Sequence, residues 1–225
     1  MSALPPPDPQ PESGRDPAAI GMDGWWPPAR RYASPNFNAR PAGSAIDLIV
    51  LHNISLPPGQ FGGHHIADLF TNRLDFYVNA ATPDLRGLAV SSHFLVRRDG
   101  AVVQFVGCGE RAWHAGVSSY GGRDNCNDYS VGIELEGSDV VAFSSAQYTS
   151  LAQLVAALLA RYPIAAVQGH QHVAPGRKTD PGPCFEWTRL QTLLAASAAM
   201  LVDANRPHGV AAKLRNVKWP HVDFA

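Results

Sequence analysis

The run Ala45-Ile-Asp-Leu-Ile-Val-Leu-His52 constrains the fold more than any other stretch of the chain. Its β-branched, nearly unbroken apolar character predicts a strand covered on both faces, which requires layers packed on either side of a sheet. A sheet with one wet face would alternate apolar and polar residues instead. The strand also closes on a histidine, so a buried element carries an imidazole to its C-terminal end.

Other segments supply the partners such a strand needs. Tyr129 to Gly137 reads as a second strand, and His93-Phe-Leu-Val-Arg97 and Ala101-Val-Val-Gln-Phe-Val106 flank Asp99-Gly100, a strong hairpin signal. Ile164 to Val167 is a short strand ending beside His170. A short helix is expected around His65 to Phe70. Ser144 and Gln147 form a capping box for a helix from Ser145 to Tyr162, where Leu151, Leu154, Val155, Leu158 and Leu159 recur at helical spacing. Glu186 to Val202 is a further Ala/Leu-rich helix. The expectation is an α/β (α+β) fold, one domain with a central mixed β-sheet flanked by helices. Its bounds are 22–202, between a Pro-rich disordered extension (1–21) and a mostly polar C-terminal tail (203–225).

Charge and cysteine usage remove several functions. The formal net charge of -1 leaves no broad basic surface, so neither nucleic acid nor an anionic membrane is an expected partner. No apolar run approaches the roughly 20 residues of a membrane span. Cys108, Cys126 and Cys184 are odd in number and lack C-x-x-C spacing, which fits a reducing compartment rather than a disulfide framework or a thiolate zinc site. The first residues lack the basic start and apolar core of a secretory signal, so the expected location is cytoplasmic.

Function must then reside in a local site. His52, His170 and Asp180 stand at a strand end or in tight loops, where scaffolds place chemistry. Two imidazoles and a carboxylate give zinc three protein ligands and leave a fourth position for water, whose pKa would fall to about 7. Residue chemistry alone leaves alternatives open. The chain has nine histidines, so His64, His65, His172, His208 and His221 also compete, and the same ligand set serves non-haem iron. The Pro-rich loop Gly169 to Pro183 adds Lys178, two residues before Asp180 and suited to stabilising an oxyanion. In Ser130-Val-Gly-Ile-Glu-Leu-Glu-Gly137, alternation puts Val131, Ile133 and Leu135 on one face and Gly132, Glu134 and Glu136 on the other. One of these carboxylates could serve as a general base, and for Glu136 pairing with a neighbouring arginine is the favoured reading.

Five blocks in order carry a family resemblance: Leu51-His-Asn-Ile-Ser-Leu-Pro-Pro-Gly-Gln-Phe-Gly-Gly63, Arg97-Arg-Asp-Gly100, Arg111-Ala-Trp-His-Ala-Gly-Val117, Gly132-Ile-Glu-Leu-Glu-Gly137 and Gly169 through Gly182. Over roughly Gly21 to Val202 the chain resembles the zinc N-acetylmuramoyl-L-alanine amidases related to phage amidases and peptidoglycan recognition proteins. The resemblance implies zinc on His52, His170 and Asp180, catalysis by Glu134 and Lys178, and a substrate groove lined by Asn53 and His114. It implies action on a small muropeptide from wall recycling, ideally one ending in 1,6-anhydro-N-acetylmuramic acid, at the bond from the lactyl carbonyl to L-alanine; the chain is expected to be a monomer. Asp75 to Leu88 departs from the family pattern, with Phe76 and Tyr77 as candidate substrate aromatics. Asn125 stands where the family often has an arginine, a loss that Arg123 is expected to offset.

Overall fold

The computed structural model describes residues 19–75, 85–200 and 210–220. Its centre is a six-stranded sheet, in spatial order β1 (Arg30–Arg31), β5 (Val102–Gln104), β4 (Phe94–Val96), β9 (Ser130–Glu136), β3 (Leu48–Ile54) and β10 (Ala166–Gly169). The neighbours β4, β9, β3 and β10 pair in parallel, whereas β5 pairs antiparallel with β4 and parallel with β1, so the sheet is mixed as expected. Asp99 and Gly100 turn the chain between β4 and β5. Gly100 has φ 87, and a Cβ there would press on the Ala146 carbonyl, so glycine is required twice over. Two small ribbons, β2 (Phe37–Asn38) with β6 (Arg111–Ala112) and β7 (Ser119–Tyr120) with β8 (Arg123–Asp124), lie outside this sheet.

Both faces of the sheet are covered, which is why its central strands carry so few polar residues. On one face Ile49, Leu51, Val131, Ile133, Leu135 and Val167 share a core with Leu151, Leu154, Val155 and Leu158 of α2 (Ser145–Arg161) and Leu190 and Leu194 of α4 (Trp187–Met200). Several of these side chains are fully buried, each contributing about 1.5–3 kcal/mol relative to exposure. On the other face Leu95, Val103 and Phe105 pack on Ile66, Leu69 and Phe70 of α1 (His65–Phe70), while Leu48, Val50 and Ala166 meet Ala115, Cys126 and Tyr129. The expected capping box is present: Gln147 N–H donates to Ser144 Oγ at 3.1 Å, and Ser144 N–H to Gln147 Oε1 at 3.0 Å. The Gln147 amide also donates to the carbonyls of Val96 and Glu136, which fastens the start of α2 to the ends of β4 and β9.

The segment 210–220 departs from the polar tail expected of it. α5 (Val210–Leu214) packs beside α2 and α4, Val217 is buried in the main core, and Lys218 bonds the backbone of β10 along its outer edge. Its anchoring apolar residues, Val210, Leu214, Val217 and Trp219, are scattered among charged ones, so no periodic stripe marks them in the sequence. Among the described residues no helix is long and apolar enough to cross a membrane.

The consequence for function lies at the carboxyl ends of three adjacent parallel strands. The register sets His52 of β3 opposite Glu134 of β9, and Gly169 of β10 opposite Leu51, so the next residue, His170, comes level with His52. Ligand sites in sheets with parallel strands favour this edge.

Candidate metal centre

His52 lies two residues before the end of β3, on the same face as Leu48 and Val50, and His170 opens the single-turn helix α3 (His170–Val173) directly after β10. Asp180 comes from the loop that follows. The three donor atoms converge: His52 Nδ1 and His170 Nδ1 are 3.0 Å apart, and Asp180 Oδ2 lies 3.0 Å from the first and 3.1 Å from the second. Ligands about 2.0–2.1 Å from a tetrahedral ion stand about 3.3 Å from one another. The trio therefore has the dimensions of one face of a zinc tetrahedron, slightly closed.

Proton positions support the same fit. His170 Nε2 is 2.9 Å from the Ala115 carbonyl, which can only accept, so Nε2 carries hydrogen and Nδ1 of the neutral ring is bare. That bare nitrogen faces a carboxylate oxygen and a second imidazole nitrogen, an arrangement that calls for a cation. Burial pushes the His52 imidazole down to about 4, so the ring is neutral and able to ligate at pH 7. Burial pulls the Asp180 carboxyl up, but the adjacent His170 and His52 imidazoles more than reverse this, and it sits below its ordinary range. The donor set of two nitrogens and one oxygen suits zinc and leaves a coordination position open.

Glu134 faces the same space. It is buried, and its Oε2 has no hydrogen-bond partner among the described residues. Burial raises its carboxyl well above the ordinary range, the charge of Asp180 adds to the rise, and Lys178 opposes it. Lys178 is exposed in the loop before Asp180. A cavity of about 230 Å³ is lined by Lys178 together with His52, Glu134, His170 and Asp180, with Leu69, Phe70 and Leu88 supplying an apolar wall. A proton acceptor, a cation and an open ligand position thus border one recess, the parts needed to hydrolyse an amide.

The remaining expectations fall out unevenly. Glu136 is satisfied elsewhere, by the backbone N–H groups of Gly62 and Arg98 and by Arg97. Asn53 borders the cavity, but its amide donates to Asp139 Oδ1 at 2.6 Å and the Pro181 carbonyl at 3.1 Å, which ties β3 to the loop carrying Asp180. His114 also borders the cavity, and its Nδ1 lies 3.0 Å from His52 Nε2. His64 and His65 stack on each other at the start of α1, and His172 Nδ1 accepts from the Gly169 N–H, so neither group joins the trio. Arg123 is engaged in a bidentate pair with Asp47, both contacts at 3.0 Å, and Asn125 is exposed. Phe76, Tyr77, His208 and His221 lie outside the described residues.

Residue reasoning did not single out Trp113, which lines the cavity with its indole N–H bonded to Asn38, nor Ser130, Asn127 and Arg177, which brace the site from behind. One signal was available. Gly132 sits inside a strand on the face of Glu134, and a Cβ there would overlap the His114 ring, so the bare backbone marks a close approach.

Known proteins resemble this chain in sequence and in fold. Residues 42–183 match the family model for N-acetylmuramoyl-L-alanine amidase. The 1,6-anhydro-N-acetylmuramyl-L-alanine amidase AmpD of Citrobacter freundii is 51% identical over 178 residues, covering 78% of this chain and 95% of the relative. AmpD of Escherichia coli strain K12 is 50% identical over 174 residues, covering 76% and 95%. A crystal structure of a selenomethionine AmpD derivative superposes with a TM-score of 0.75 at 52% identity, covering 76% of this chain and 97% of that one.

Proposed function

The chain belongs to the N-acetylmuramoyl-L-alanine amidase family, and from that premise we propose that it is a zinc enzyme of cell-wall recycling. Its reaction is hydrolysis of the amide between the lactyl group of 1,6-anhydro-N-acetylmuramic acid and L-alanine in small muropeptides. The observation that carries this reading is the convergence of two imidazole nitrogens and a carboxylate oxygen beside a buried carboxyl oxygen, Glu134 Oε2, that has no hydrogen-bond partner among the described residues. The names of the similar amidases supply the substrate class.

His52, His170 and Asp180 would hold the zinc ion. When bound, zinc supplies a Lewis acid for the scissile carbonyl and an acidified water at neutral pH. Glu134 accepts the proton of the attacking water and delivers it to the alanine nitrogen as the C–N bond breaks, a task suited to a carboxyl whose proton affinity burial has raised. Lys178 offers its ammonium to the carbonyl oxygen as negative charge develops there. Leu69, Phe70 and Leu88 give the recess an apolar wall against which a substrate can pack. Three free cysteines, two of them buried, support a reducing, cytoplasmic setting.

The test is product analysis by mass spectrometry with anhydro-muropeptide and reduced muropeptide side by side. Free stem peptide and free anhydro-sugar are expected from the first substrate, release is expected to stop after chelation, and added zinc is expected to restore it. Equal cleavage of both substrates would remove the anhydro preference. Binding without any cleavage by the zinc-loaded protein would make the chain a recognition module.

A further inference from the structure

Each histidine of the trio is gripped at the nitrogen that faces away from the other donors, and both grips come from one dipeptide. His114 Nδ1 lies 3.0 Å from His52 Nε2, and the Ala115 carbonyl lies 2.9 Å from His170 Nε2. The dipeptide is itself held in place. Asn127 Oδ1 accepts from the backbone N–H groups of both His114 and Ala115, at 3.2 and 2.8 Å. Arg177 donates to the Ala115 and Val117 carbonyls. The His114 ring lies against the bare backbone of Gly132, and its Nε2 is 3.2 Å from Ser130 Oγ.

Proton counting gives this bracket a direction. If His52 Nδ1 is a ligand, Nε2 of that ring bears its hydrogen and donates to His114 Nδ1, which leaves His114 protonated at Nε2 and donating to Ser130 Oγ. Every ring hydrogen then has an acceptor, and only one tautomer of each ring satisfies the chain. Behind Ser130, Arg40 donates to the carbonyls of Ser130, Asn127 and Asp128, which fixes the far end of the relay.

We propose that His114 and Ala115 form the outer support of the metal centre, setting the tautomer and aim of both histidine ligands, and that His114 is a positioning residue rather than a substrate contact. This rests on the zinc reading above. Outer partners of ligating histidines are worth about 10- to 100-fold in metal affinity.

Leucine and asparagine have the same shape, but only asparagine places an acceptor near the position of His114 Nδ1, and both lose the bond to Ser130. Zinc affinity of the full chain would be measured by chelator competition for wild type, His114→Leu and His114→Asn, with cobalt absorption spectra and metal-free melting temperatures alongside. We expect His114→Leu to bind zinc about 10- to 100-fold more weakly with a shifted cobalt spectrum, and His114→Asn to stay within roughly threefold of wild type. The metal-free melting transitions should show that both variants fold. Equal zinc affinities for Leu and Asn would overturn the proposal, as would a rise in KM common to both with affinity and spectrum unchanged. If the wild-type chain itself bound no zinc, the metal reading would fail instead, and the two failures are distinguishable.

Discussion

Glu134 and Glu136 leave the same face of the same strand two residues apart, both buried, yet they have become different groups. Around Glu136, the Gly62 N–H donates to Oε1 at 2.6 Å and the Arg98 N–H to Oε2 at 3.1 Å, with the Arg97 guanidinium nearby. That carboxylate fastens two loops to the sheet. Among the described residues no donor reaches Oε2 of Glu134, and the charge with the largest effect is the repelling one of Asp180. Burial alone therefore does not make a carboxyl fit for proton transfer. Burial without donors does, because the buried group keeps a high proton affinity and stays free to use it.

The largest effect that would separate the two is on turnover. Glu134→Gln keeps shape and burial but cannot take a proton, so kcat should fall by roughly 10²–10⁴-fold with zinc still bound at one equivalent. Elemental analysis of the purified variant checks the second half of that statement. Loss of zinc from Glu134→Gln would mean that the carboxyl supports the metal, and the contrast with Glu136 would break.

Glu136→Gln should do the reverse, at a smaller scale. An amide can accept through its oxygen but meets the second backbone N–H with its own N–H, so one donor is stranded. A stability loss of about 1–3 kcal/mol is expected in urea unfolding, with kcat of the folded protein within severalfold of wild type. A collapse of kcat with intact stability would show that Glu136 takes part in the chemistry.

This contrast also marks how far residues could be read without coordinates. The strands β3 and β9, the Asp99-Gly100 turn and the Ser144/Gln147 cap were legible because each is a local pattern with a local cause. The alternation along β9 put both carboxylates on one face, and the arginine pairing favoured for Glu136 is present. What separates the two is the set of donors around Glu136, and those come from segments far away in sequence. The order of strands in the sheet is hidden for the same reason. Two-residue strands such as β1 and β7 are too short to show a period, and the anchors of segment 210–220 are single apolar residues. His114 was legible only as part of a motif. Its contact with His52 depends on Gly132 and on a loop fixed by Asn127, and neither dependence has a periodic signature.

The smallest effect is the sharpest comparison, because its sign differs between the two residues. In the metal-free protein Glu134 has its folded pKa raised well above its ordinary value, chiefly by burial. Below about pH 4 the group is protonated whether folded or unfolded, and the native state gains from binding its proton more tightly. As pH rises from the unfolded value through the folded one, the unfolded chain releases that proton first, and this contribution to stability is lost. Glutamine has no such dependence. The stability of Glu134→Gln relative to wild type should therefore rise as the pH increases above about 4. Urea unfolding of chelated samples across this range reads the result directly. A difference that stayed flat with pH, or a neutral-pH loss like that expected of Glu136→Gln, would mean that Glu134 has found donors in solution and that the two carboxylates are alike after all.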